Sequence, residues 1–389
     1  MFACVASISK DVRLVSSVCY PEDELVISST PARERIVFLD WLRGLAALVM
    51  LQGHVFNSFL RPGDREHALN LYSTFFGGEA SAIFLFVTGI TYGLGMFRRS
   101  HLPAGQRVLA ALRRARYLFL LAILFRVQLW LFGQPYTSVS DLWTVDVLNL
   151  MGAAAALLCV VALAREPMQR FRWALLAGVL IAVFAPVVAN LDTSAIPKIL
   201  RDYLVPGTTF SIFPWGCYLA FGLAVGNAIP LVEHYQWGRV MQWAALCGLS
   251  LIVAGLYFSN LPYSIYPKVE FWIDSPGLVA GKLGGILLLG TAAFLWTEYF
   301  STGWSWVRLL GTTSLAVYWV HVELVYGRWF WFLKEQLTPW QCVGASAVLI
   351  VLMVAMCAAI RYVPWPGWLT ARFKKRPAAE AAPAELTPV

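Results

Sequence analysis

Apolar runs of about twenty residues, bounded by charged residues, glycine or proline, recur along nearly the whole chain. Ten of them are centred near Leu48, Phe86, Ala122, Ala155, Val183, Leu219, Leu249, Leu288, Val320 and Val351. Most are apolar all round, without the wet face of a soluble amphipathic helix, so the pattern predicts an all-α, polytopic transmembrane helical bundle of about ten spans. The third run is the least clean, because Arg126 lies inside it and Arg113, Arg114 and Arg116 crowd its start. Residues 1–34, which include Lys10, Asp11, Arg13, Glu22, Asp23 and Glu24 and have no long apolar core, read as a polar tail rather than a cleavable signal peptide. Residues 35–363 read as one membrane domain and 364–389 as a basic, then disordered, cytoplasmic tail.

Composition removes the soluble alternative: 59% of the residues are hydrophobic and 13% charged. A net charge of +8 would suit nucleic acid, but the basic residues sit in short loops where membrane orientation explains them, so no nucleic-acid partner is expected. One set of alternate loops holds Arg33 and Arg35, the run from Arg98 to Arg116, Arg165, Arg170, Arg172, Arg239, Arg308, Arg361 and the basic stretch to Arg376. The opposite set holds Arg61, Arg65, Lys198, Arg201, Lys268, Lys282, Arg328 and Lys334. This imbalance puts both termini in the cytoplasm, which requires an even number of spans. The seven cysteines show neither CxxC nor Cys/His ligand spacing, so no disulfide framework and no metal site is expected.

Ionisable side chains inside spans are costly and need a partner, a wet cavity or a function. Within IVFLDWLRGLAALVMLQGHVF, Asp40 and Arg43 share a helical face near the cytoplasmic end, where a structural ion pair is the plainer reading. His54 lies eleven residues after Arg43 on the same helix, or roughly 16 Å towards the outer leaflet. His67 in the first outer loop and His321 in the ninth span are also assigned to the outer half, so the three are expected to converge there. Imidazole exchanges protons near neutrality, and such a site suits general-base activation of a hydroxyl or amine, with Glu79, Glu323 and Tyr318 orienting or assisting. Each has a plainer reading too: His321 as a hydrogen-bonded packing residue, His67 as a solvated loop residue, and the Arg98–Arg116 cluster as an orientation signal.

Arg43 and His54 stand in the R-x10-H arrangement of the acyltransferase-3 family. LDWLRGLAALVMLQGH, FLFVTGITYGLG and, late in the chain, GTTSLAVYWVHVE resemble the heparan-alpha-glucosaminide N-acetyltransferase-like family of bacterial membrane proteins. The likeness spans about residues 33–363. It implies acetyl transfer from cytoplasmic acetyl-CoA to a sugar or glycan amine or hydroxyl across a bacterial inner membrane, with the bilayer as a further partner and a homodimer admitted. It implies His54 or His67 as the catalytic base, Tyr318 and His321 as pocket residues, and a donor met by Arg98, Arg99, Arg113 and Arg114. The rival from another class is a transporter or flippase for a sugar or lipid-linked substrate, whose path would use Asp40, Arg43 and Glu79.

Overall fold

The computed structural model describes residues 36–207, 210–300 and 303–363. The two tails expected at 1–34 and 364–389, with Arg33, Arg35, Arg372, Lys374, Lys375 and Arg376, lie outside the described residues.

The described residues form twelve α-helices in chain order: α1 Val37–Phe59, α2 Ala68–Phe97, α3 Ala104–Phe132, α4 Val147–Leu157, α5 Pro167–Ala189, α6 Lys198–Leu204, α7 Ile212–Ala228, α8 Trp237–Ser259, α9 Pro276–Tyr299, α10 Trp306–Thr312, α11 Ser314–Tyr326 and α12 Pro339–Tyr362. Seven helical segments are long and apolar enough to cross a membrane, namely α2, α5, α7, α8, α9 and α12, with α4 extended by the 3-10 turns on either side of it. The remaining three apolar runs fall on α1, on α3, which carries five arginines, and on the α10–α11 pair, which is broken at Thr313. This is an all-helical, multi-pass membrane protein.

α1 is the central helix, packed against α2, α9, α10, α11 and α12. Its buried residues Met50, Leu51, Val55 and Phe56 share a core with Leu310 of α10, Val317 of α11 and Leu349 and Met353 of α12. Small residues let the backbones approach closely, which replaces the hydrophobic driving force that lipid cannot supply. A Cβ on Gly44 would overlap the Val307 carbonyl, and one on Gly311 would overlap that of Asp40, so α1 and α10 touch backbone to backbone. The same device joins α2 to α7, where Gly222 and Gly226 face the carbonyls of Phe86 and Ile90.

At the far end of α1 the chain is fastened to the loop before α12. Leu337 N–H donates to Phe59 O at 2.8 Å, and Arg61 N–H to Leu337 O at 3.0 Å. Ser58 Oγ donates to Val325 O at 2.9 Å, and Tyr326 Oη to Asn57 Oδ1 at 3.0 Å, so the last turns of α1 and α11 are held side by side. That fixes the relative height of His54 and His321.

Candidate functional site

His54 and His321, 267 residues apart in sequence, meet with His54 Nδ1 at 2.9 Å from His321 Nε2. Their rings are stacked within 18° of parallel. His321 is fully buried, and its Nδ1 lies 2.7 Å from the Val317 carbonyl one turn back on α11. A carbonyl can only accept, so His321 Nδ1 carries the proton and its Nε2 offers a lone pair. His54 Nδ1–H must then be the donor in the pair, which leaves the lone pair of neutral His54 on Nε2. Two hydrogen bonds thus select the tautomer in which His54 Nε2 is the base, and His321 is what selects it.

Two cavities meet at this ring. One, of about 310 Å3, is lined by Arg43 and Arg114, by Ser314 at the start of α11, and by Met50, Ser81 and Phe84. Its α1 lining runs from Arg43 to His54, and its α11 lining, Ser314 to Tyr318, comes from the first part of that helix. The other, of about 920 Å3, is lined by Arg126, Asp146, Glu323, Arg328 and Lys334 with Tyr136 and Trp331. It lies where α1, α3 and α11 finish. His54 and Tyr318 line both. Tyr318 packs its ring 4.9 Å from Phe125 and 5.9 Å from His321.

The other expected site residues are distributed less compactly. Asp40 and Arg43 form an i,i+3 ion pair at 3.2 Å, as the structural reading has it, and Arg43 lines the smaller cavity as well. The expected convergence of three histidines is corrected to two. His67 is exposed and caps α2, accepting from Leu69 N–H at 3.2 Å. A Cβ on Gly53, beside His54, would lie 3.1 Å from Gly77 Cα, and His67 is ten residues before Gly77, about 15 Å further along α2. Glu79 projects from another face of α2, where it pairs with Lys282 at 3.2 Å beside a separate cavity that His54 does not line. Glu323 is buried with neither carboxyl oxygen hydrogen-bonded among the described residues. Of the four arginines expected to meet a donor, Arg98, Arg99 and Arg113 are exposed and line neither cavity that meets at His54, while Arg114 lines the smaller one.

Sequence reasoning missed the Arg126–Asp146 ion pair at 3.0 Å on the wall of the larger cavity. The signal was available: an arginine inside an apolar run requires a partner, and Asp146 opens the next run.

The profile of one family, described as an acyltransferase domain, matches residues 36–362, which is nearly the whole described chain. The chain belongs to the acyltransferase-3 family. No curated protein matches the chain. In this acyltransferase-3 protein the R-x10-H pair therefore acquires a geometry: Arg43 on the wall of one cavity and His54 at the junction of both.

The histidine pair yields a first prediction. In His321→Ala the His54 ring loses the acceptor that keeps its proton on Nδ1, so the base nitrogen is no longer specified. A steady-state assay is expected to show kcat falling by about 10²-fold or more, with KM for the acyl donor little changed. An equal rise in donor KM with kcat intact would mean that His321 shapes the cavity and does not direct the base.

Proposed function

We propose that this membrane acyltransferase moves an acetyl group from acetyl-CoA, entered from the cytoplasmic end, to a sugar hydroxyl or amine in the larger cavity at the outer end. The observation that carries the reading is that His54 lines both cavities and is the imidazole they share. A donor in one cavity and an acceptor in the other would meet at His54 Nε2 without either crossing the bundle. The smaller cavity, of about 310 Å3, suits an extended thioester arm better than a sugar, and Arg114, with Arg43 in its ion pair with Asp40, gives its wall a cation suited to a phosphorylated donor.

In the step proposed, His54 Nε2 accepts the proton of the acceptor O–H or N–H as that atom bonds to the acetyl carbonyl carbon. The carbon–sulfur bond then breaks, and His54 returns the proton to the departing thiolate, so charge and protons balance. The tautomer lock leaves His54 Nδ1–H bonded to His321 throughout, which spreads the positive charge of the transient imidazolium. Tyr318, at the same junction, is placed to steady the oxyanion.

Ten spans with both termini in the cytoplasm of a bacterial inner membrane complete the proposal. The charge asymmetry of the loops supports that orientation, as does the placement of α1 and α3 beside accepted spans. The sequence likeness to heparan-alpha-glucosaminide N-acetyltransferase-like proteins favours acetyl as the acyl group and a sugar as the acceptor.

Sidedness is the test. Proteoliposomes with a panel of hydroxyl and amino sugars trapped inside, given radiolabelled acetyl-CoA outside, are expected to accumulate acetylated sugar in the lumen while the label stays impermeant. Transfer confined to vesicles with donor and acceptor on one side would remove the two-cavity reading.

A further inference from the structure

We propose that the larger cavity grips its acceptor by an anionic group, a carboxylate or a phosphate ester, and that Arg126 receives it. This rests on the acyl-transfer reading for the identity of the cavity, but the charge argument is independent of that reading.

Arg126 lies in the last two turns of α3 with its side chain 16% exposed, and it lines the cavity. Its Nε is 3.0 Å from Asp146 Oδ2, an ion-pair contact without hydrogen-bond alignment. Asp146 is otherwise committed: its Oδ1 accepts from Asn149 N–H at 2.9 Å and from Asn149 Nδ2 at 3.2 Å, capping α4. A carboxylate so oriented takes the guanidinium at one nitrogen and leaves the two-point fork unused. The terminal nitrogens of Arg126 make no hydrogen bond among the described residues. An arginine ion-paired through Nε that lines a cavity of about 920 Å3, with its terminal nitrogens not hydrogen-bonded, offers that cavity the planar donor pair that matches carboxylate or phosphate.

The plainer account, a pair that ties α3 to α4, explains the Nε contact and leaves the terminal nitrogens unexplained. It also leaves the company the fork keeps. Arg328 and Lys334 line the same cavity, the first donating to Gln134 O at 3.2 Å and the second to Tyr326 O at 2.6 Å. Backbone carbonyls fix these two cations without neutralising them. Against the three stand Asp146, already paired, and Glu323, both of whose oxygens are buried. Lysine and arginine are sparse at this end of the bundle, so orientation does not account for three of them around one void. With both carboxylates counted the lining sums to +1, and in a partly desolvated cavity that surplus favours an anion over an ammonium. The exposed rings of Tyr136 and Trp331 supply flat apolar faces at the same site.

The experiment measures binding by the full-length protein in nanodiscs, without any acyl donor, for three probes: glucuronate, glucose 6-phosphate and glucose. At least one anionic probe is expected to bind about tenfold or more tightly than glucose, and to weaken several-fold as sodium chloride is raised. The two anionic arms tell carboxylate from phosphate. Arg126→Gln is expected to abolish the preference, and the double change Arg126→Gln with Asp146→Asn, which leaves no unpaired carboxylate, does the same in a folded protein. Lys334→Gln, which keeps the Arg126–Asp146 pair, is expected to weaken it a few-fold. Equal binding of all three probes, no binding of either anion, or a preference undiminished in the double variant would overturn the proposal. A charge preference without acetyl transfer would defeat the acyl-transfer reading alone, and transfer to glucose without a charge preference would defeat this one alone.

Discussion

His54→Ala is expected to lower kcat for acetyl transfer by about three orders of magnitude, the upper range of what a positioned general base contributes. The loss falls on kcat because His54 stands where the two cavities join, and it is the imidazole that lines both, beside the Tyr318 phenol. His67→Ala is the matched control. That change removes an N-cap acceptor of α2, which costs roughly 0.5–1 kcal/mol of stability, and because the deleted ring lies about 15 Å from the junction it leaves His54 untouched. Purified His54→Ala and His67→Ala proteins, compared with radiolabelled acetyl-CoA and the same sugar panel, therefore separate two histidines that motif matching alone treats as equivalent. An inactive His67→Ala beside an active His54→Ala would move the chemistry to the outer loop and leave the histidine pair as packing.

Gly222→Val is expected to have the second large effect, on folding. A Cβ at Gly222 would sit on the Phe86 carbonyl, with backbone atoms on the opposing helix that cannot swing aside as a side chain would. α2 and α7 must then separate, and the wall of the smaller cavity that α2 provides through Gly77, Ala80, Ser81 and Phe84 moves with them. Fluorescence-detected size-exclusion chromatography in detergent should show the monodisperse peak lost. Gly344→Ala is the control, since a Cβ there meets nothing within 4 Å, and its peak should be unchanged. Persistence of a sharp peak and of activity in Gly222→Val would mean that the α2–α7 contact is looser than the geometry has it.

Much of this architecture was legible in the chain because a bilayer constrains it so heavily. Each of the ten apolar run centres falls on a helix or its 3-10 extension, since backbone polar groups in hydrocarbon have few ways to be satisfied. The Asp40–Arg43 pair was legible for a local reason, its three-residue spacing on one helix. His54 was legible through its motif. His321 was visible as a candidate, but its role was not: spacing could not show that its Nδ1 is spent on Val317 and its Nε2 faces His54. Glu79 and His67 were drawn into the site by their approximate depth in the membrane, which says nothing of the helix face they occupy.

The sequence by itself determined a membrane-embedded helical protein and, through its motifs, the two histidines to compare, His54 and His67, because these depend on hydrophobic run length and on short local patterns. Tertiary structure decided that His54 is paired with His321, that Arg126 and Asp146 share a cavity wall, and that His54 lines two voids. The physical reason is that the facing of neighbouring helices is fixed by glycine contacts such as Gly44 on Val307 and Gly222 on Phe86. Those contacts join residues more than a hundred positions apart, and hydropathy carries no record of them.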